Sequence, residues 1–415
     1  FLVTLTKMPL LDANPQLRAE AIALWKTVVA NDKKHKLGLH TFLDGVIDAR
    51  PELKPSEPVT LPDEAANHWA VWQVSESPDG RYIARTAADR SVVVWDAATG
   101  ARVKTLKLDD ARQYYGDSAN SSALGWTADG KLVVVAVFDN DDKKGYHNRV
   151  RTFDLSGPKD VLGPKDALSE HVVPDVYALR DVLTGPNGLF LAARVDRHQK
   201  RSEYSSDYVG SDVQLFSVDG QLRAQLDNAI ILDAQGPRLL TGTPHIKTPA
   251  LALWDASNPA APREITPPWM KVFPAVWMKR HPANKWGYYE TLDAKLGRFL
   301  GQDALIVQEN GTLTFMNLAT AAPLAAVAIP NGWRADAYVV DPSGQTLAAI
   351  VRATGAFEGS TPERLMVWDL ATGAVVMERV STEVGRLSFA KGGAALITAG
   401  KKGVEVFDLR SGSAS

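Results

Sequence analysis

Residues 91–100 read Ser91-Val92-Val93-Val94-Trp95-Asp96-Ala97-Ala98-Thr99-Gly100, and the pattern recurs along the chain. A β-branched run ends in Trp-Asp, and a turn closed by Thr-Gly follows. It returns nearly intact at Leu365-Met366-Val367-Trp368-Asp369-Leu370-Ala371-Thr372-Gly373, and in shorter form at Leu251-Ala252-Leu253-Trp254-Asp255. Weaker copies are Arg151-Thr152-Phe153-Asp154, Leu313-Thr314-Phe315-Met316-Asn317 and Val404-Glu405-Val406-Phe407-Asp408, and Val213-Gln214-Leu215-Phe216 is the most degraded. That makes seven copies. A unit repeated this often marks a repeat architecture built from one supersecondary element.

The composition of the 415 residues is that of an ordinary globular chain, 45% apolar and 23% charged. No segment is apolar enough to span a bilayer as a helix. Lys and Arg number 46 against 48 Asp and Glu, so bulk charge argues against a nucleic-acid partner and against an anionic membrane surface. Cysteine is absent, which excludes disulfides, thiol nucleophiles and thiolate metal sites but leaves the compartment open. The chain begins at Phe1, as a processed or truncated product would. Residues 1–10 lack the basic start and long apolar run of a signal peptide, which leaves a cytoplasmic location as the default expectation.

Residues 1–56 are expected to form an N-terminal helical segment with a Pro-rich connector. Asn14 suits an N-cap and Pro15 the first helical position, and Leu17, Ala21, Leu24 and Val28 recur at helical spacing. A second helix carries Leu39, Phe42, Leu43, Val46 and Ile47 on one face. Two short amphipathic helices cannot bury such faces alone, so they must pack on the rest of the chain, on an upstream domain or on a partner. Residues 50–58 (Arg50-Pro51-Glu52-Leu53-Lys54-Pro55-Ser56-Glu57-Pro58) end the helix and form the connector.

From residue 57 to about 410 the period becomes that of strands. Turn signals recur at Ser77-Pro78-Asp79-Gly80, Thr127-Ala128-Asp129-Gly130, Gly185-Pro186-Asn187-Gly188, Asp341-Pro342-Ser343-Gly344 and Ala390-Lys391-Gly392-Gly393. Looser versions are Asp233-Ala234-Gln235-Gly236 and Asp293-Ala294-Lys295-Leu296-Gly297. Asp-Gly and Asn-Gly supply the positive φ that tight hairpins need. Residues 77–100 resemble a WD-repeat of the divergent bacterial type, and the resemblance runs over residues 57–410. It implies an all-β fold, a seven-bladed β-propeller. No Gly-His dipeptide occurs, so the buried histidine network of the best-formed WD-repeats is missing. If the family's strand order holds, the last blade takes its outer strand from Pro58-Val59-Thr60-Leu61, closing the ring and removing an open sheet edge. Residues 411–415 are expected to be a flexible tail.

A typical WD-repeat is about 40–45 residues long, and several of these blades are longer. The excess is placed between blades, at 108–122 and 265–292, and between second and third strands, at 139–148, 196–212, 241–249 and 352–364. In a propeller both connections emerge on one rim, and elaborated loops on a rigid scaffold carry binding more often than they record drift. The richest of these, read as a loop over 267–289, interleaves aromatic and basic residues. Trp277, Lys279, Arg280, Trp286, Tyr288 and Tyr289 are its candidate partner-binding residues. Tyr204 and Tyr208 from the 196–212 loop and Tyr114 and Tyr115 from 108–122 join them. Such composition suits a protein-interface hot spot.

Catalytic and cofactor motifs are lacking. Asp139-Asn140-Asp141-Asp142 puts Lys143 and Lys144 where a calcium loop needs an oxygen ligand and a glycine. No paired histidine motif, phosphate loop or Gly-x-Ser-x-Gly elbow occurs. The favoured reading is a non-enzymatic interaction or scaffold module that binds a protein or peptide partner through the loop-rich face, either by itself or as part of a larger multidomain protein. The alternative is a propeller enzyme or carbohydrate-binding protein using the same aromatic rim.

Overall fold

A computed structural model describes residues 53, 55–61, 71–87, 91–108, 123–127, 129–141, 145–173, 179–184, 190–202, 205–217, 221–243, 250–280, 292–309, 311–354, 363–381, 384–400 and 403–410. The N-terminal helices expected at 14–47 and the tail at 411–415 lie outside these residues.

The described strands form seven sheets, the fold of a seven-bladed β-propeller. The first blade is Val71–Glu76, Tyr82–Ala87, Ser91–Asp96 and Arg102–Lys107, each antiparallel to the next. The next five blades repeat that order, and the seventh runs Val384–Ala390, Ala395–Gly400, Gly403–Asp408 and then Val59–Leu61 at its outer edge. One compact unit is built on Thr60–Leu296 and another on Gly297–Ile397.

The Trp-Asp stretch explains the repeat. Val92, Val93, Val94 and Trp95 are all buried, because the strand is covered on both faces, so the apolar run is continuous rather than alternating. Val92 and Val94 pack with Leu124, Trp126, Leu132, Val134 and Phe153 of the second blade. In the other unit Trp368 packs with Met366, Leu347, Tyr338 and Phe315.

The aspartate that follows is a turn-maker. Asp96 Oδ1 accepts the backbone N–H groups of Ala98 at 3.0 Å and Thr99 at 2.8 Å, and the Thr99 hydroxyl at 2.9 Å. Gly100 then takes φ +69, and its N–H donates to the Asp96 carbonyl at 2.9 Å. Asp369 holds Ala371 and Thr372 in the same way, with Gly373 at φ +69. Asn317 does so too, accepting from Ala319, Thr320 and the Thr320 hydroxyl. There the positive φ, +64, falls on Ala321 instead of glycine. The Asp96 carboxyl is held below the usual range by the Thr99 N–H and then its hydroxyl, and Asp154 by Ser156. Asp255 is held low by the Ser257 hydroxyl and then its N–H.

Three expectations are corrected. Residues 294–297 are not a turn: Ala294–Phe299 is the inner strand of the fifth blade, and the reversal falls at Leu300 (φ 49) and Gly301 (φ 84). Gly297 is there for packing, since a Cβ would meet Ile306 Cδ1 at 2.5 Å. Next, the excess at 139–148 and 196–212 is largely strand. Leu132–Asp141 pairs with Gly145–Phe153 as far as Asp141↔Gly145, and Leu191–Ser202 pairs with Ser205–Phe216 as far as Ser202↔Ser205. Backbone groups there are satisfied by lengthening the hairpin rather than by looping out. The last correction concerns a third place of insertion, between the third and outer strands of the second blade. Val161–Leu162 returns to pair in parallel with Thr105 and Leu106 of the first blade, making a fifth strand. Lys104, 8% exposed, donates from Nζ to the carbonyls of Gly157 at 2.6 Å and Lys159 at 3.0 Å. This covers an outer edge that would otherwise stand open.

Candidate functional site

The segment between the fourth and fifth blades begins at Arg263–Glu264, a strand only two residues long beside Trp254 and Asp255. The chain is then tied down: the Ile265 N–H donates to the Leu253 carbonyl at 2.8 Å, and the Leu253 N–H to Thr266 Oγ1 at 2.9 Å. Pro268 opens a helix, Pro268–Arg280, at a position where a missing N–H costs nothing. The Met270 N–H donates to the Pro267 carbonyl at 3.0 Å. The loop expected at 267–289 is therefore helical over half its length. Met, Lys and Ala favour helix, and packing against Leu251–Asp255 supplies what Pro274 inside the helix takes away.

The helix has two characters. Met270, Pro274 and Trp277, four and three residues apart, form its buried stripe. Trp269, Phe273 and Trp277 step along one flank, with ring centroids 6.0 Å apart edge-on for the first pair and 6.5 Å for the second. Val272 and Val276, one turn apart, are turned away from the buried stripe, 60% and 42% exposed. Lys279 and Arg280 are exposed in the last turn. Lys271 pairs with Glu264 at 3.1 Å, and the Glu264 carboxyl lies below its usual range through the Thr266 hydroxyl and then Lys271.

Of the residues singled out in the sequence, Lys279 and Arg280 stand on this exposed side. Trp277 is corrected: at 3% exposure its indole is part of the helix underside and cannot serve as partner surface. Its place in the buried stripe, three residues after Pro274, is the physical reason. Tyr208 lies in the strand Ser205–Phe216, opposite His198. Trp286, Tyr288, Tyr289, Tyr204, Tyr114 and Tyr115 lie outside the described residues. Val272 and Val276 were missed in the sequence. Their signal was the helical spacing that begins at Pro268.

Elsewhere, charged groups brace the hairpins. Arg197 Nε meets Asp212 at 3.1 Å, and Asp212 also accepts the Asn228 N–H at 2.7 Å. In the sixth blade Arg352 bridges Asp336 at 2.7 Å and Glu363, joining the two ends of the 355–362 connection. Arg334 reaches the same Asp336 at 3.0 Å. Among the described residues no three His, Asp or Glu side chains cluster as metal ligands.

No family model matches the chain. Over 36 residues it is 61% identical to Protein Mut11 of Chlamydomonas reinhardtii, a stretch amounting to 9% of this chain and 10% of that relative's length. The expectation that the repeats are of a bacterial type finds no support in this algal match. Among solved structures, the RRP9 WD40 repeats match with a TM-score of 0.52 at 11% identity, covering 87% of this chain and 100% of that one. At that identity the likeness shows the fold alone.

Proposed function

We propose that this WD40-type propeller is a non-enzymatic interaction or scaffold module that binds a protein or peptide partner. WD40 propellers generally mediate protein–protein interaction, and no helix among the described residues is long and apolar enough to cross a membrane. The partner is met by the helix Pro268–Arg280 together with the residues that follow it, Trp286, Tyr288 and Tyr289, with Tyr204, Tyr208, Tyr114 and Tyr115 as further contributors.

The observation that carries this reading is the exposed side of that helix. Its underside is already filled by Met270, Pro274 and Trp277, yet Val272 and Val276 are left to water beside Lys279 and Arg280. Apolar side chains set among basic ones, on an element fixed to a rigid sheet, suit an interface core with a polar rim.

Affinity capture with mass-spectrometric readout tests it, with wild type, Val272→Ser/Val276→Ser and Trp286→Ala/Tyr289→Ala as baits. The expected result is a protein retained by wild type and lost by both variants. Identical retention by all three baits would remove this segment as the binding site.

A further inference from the structure

We infer that residues 39–47, whose Leu39, Phe42, Leu43, Val46 and Ile47 fall on one helical face, dock within the same chain on the outer strand of the sixth blade, over Val375 and Val380. Docking there needs no external partner, and it stands whether or not Pro268–Arg280 binds one.

The chain enters the propeller at that strand. Leu53, 8% exposed, lies in the apolar cluster of Leu365, Val367, Met377 and Phe407. The Ser56 N–H donates to the Asp408 carbonyl at 2.8 Å, and Glu57 pairs with Arg379 at 2.8 Å. Ile47 precedes Leu53 by six residues, a stretch that spans at most about 20 Å when fully extended. So short a tether keeps the apolar face of 39–47 close to the Val375–Ser381 strand, at an effective concentration on the order of millimolar.

The strand has apolar surface to cover. It ends its sheet, and its outer edge pairs with no further strand among the described residues. Val375 is 46% exposed, and Val380, at 70%, is the most exposed large apolar side chain among the described residues. Val375 lies opposite Trp368 and Val380 opposite Arg364, with a bulge taking up the extra residue. Trp368 and Arg364, four apart on one strand, share a face, and so do the valines opposite them. Met377 lies opposite Val367, on the other face, in the cluster that holds Leu53. A chain running from Leu53 to the valines therefore crosses the strand's free edge. Four residues of strand are about 14 Å long, and so is a helix of nine residues, which matches 39–47 to the distance between the valines. Two other blades show the same treatment of an outer edge. The first takes Val161–Leu162, and the short outer strand of the fourth, Arg263–Glu264, is followed by Pro268–Arg280 packed on Leu251–Asp255.

The chain has no cysteine, so two introduced thiols report alone. In the full chain Val46→Cys is combined with Val375→Cys, with Val380→Cys, or with Val272→Cys on the exposed side of the helix Pro268–Arg280. Each double variant is oxidised with copper phenanthroline. A disulfide within one chain should form with Val375→Cys or Val380→Cys at least about ten-fold faster than with Val272→Cys. Hydrogen exchange gives a second readout. Val375→Ser/Val380→Ser alters only exposed side chains and should speed exchange in peptides from 39–47, with the melting temperature as the check that the propeller is intact. Disulfide formation no faster than with Val272→Cys, disulfides that join two chains, or exchange at 39–47 untouched by Val375→Ser/Val380→Ser would each overturn the inference.

Discussion

Asp96 Oδ1 receives the backbone N–H of Thr99 at 2.8 Å, and Asn317 Oδ1 receives that of Thr320 at 3.0 Å in the same place of another blade. The repeat's aspartate is thus an oxygen acceptor that shapes a turn, and its charge is dispensable to the geometry.

Acid sensitivity should follow from this. The Asp96, Asp154 and Asp255 carboxyls are depressed below their ordinary 3.8, so their stabilisation is present above that value and is lost as pH falls through the lower folded values. The triple variant Asp96→Asn/Asp154→Asn/Asp255→Asn keeps the acceptor and loses the titration. Its melting temperature should fall less than that of wild type between pH 7 and pH 3. Parallel curves would contradict the assignment.

Asp233 has the opposite sign. It is partly buried on the inner strand Ile230–Gln235 and accepts the Leu296 N–H at 2.8 Å, and burial pushes its carboxyl up to about 6 despite Lys295. A raised acid favours the folded state when protonated, so its ionisation removes stability as pH rises from about 4 to about 6. Asp233→Asn should therefore stabilise the protein at pH 7, by on the order of 2–3 kcal/mol, and make little difference at pH 4. Chemical denaturation at the two pH values reads the difference.

The tryptophans of the repeat are not equivalent. Trp95 and Trp368 are 0% and 2% exposed, and truncation of either to alanine should cost about 3–5 kcal/mol. Trp254 is only partly buried, with its indole N–H donating to Thr241 Oγ1 at 3.0 Å. Its replacement should cost less, and denaturant midpoints of the three variants would rank them.

Two turn positions should respond in opposite directions. Ala321→Gly relieves a left-handed alanine, worth about 1–2 kcal/mol, against a smaller entropic loss, so a slight gain in melting temperature is expected. Gly344 has φ +74, and a Cβ there would lie 2.6 Å from the Arg298 carbonyl carbon. Gly344→Ala should destabilise by about 1–3 kcal/mol, through overpacking that backbone cannot relieve.

The fold was legible because one structural need recurs. A strand buried on both faces demands a continuous apolar run, and its turn demands Asp or Asn followed by a residue able to take positive φ. That need is met in full at residues 92–100 and 365–373, and weaker copies of the same stretch mark the other sheets. The fifth blade misled because its turn uses Leu300-Gly301 and its Gly297 answers a packing contact, so the glycine with the aspartate before it imitated a turn. The helix was harder to see. Pro274 interrupts the expected pattern, and Trp277 looks the same in sequence whether it faces a partner or the strand beneath. Lys279 and Arg280 were readable as surface because charge rarely goes inside unpaired. Val272 and Val276 were not, since exposed valine has no signature.

The central claim is that a partner covers the exposed side of Pro268–Arg280. Hydrogen exchange of the full chain, alone and with the protein that wild type captures, tests it most directly. The account predicts that the largest gain in protection falls on peptides spanning 268–280, and that Val272→Ser/Val276→Ser removes it. Protection confined to other blades, with 268–280 unchanged, would contradict it.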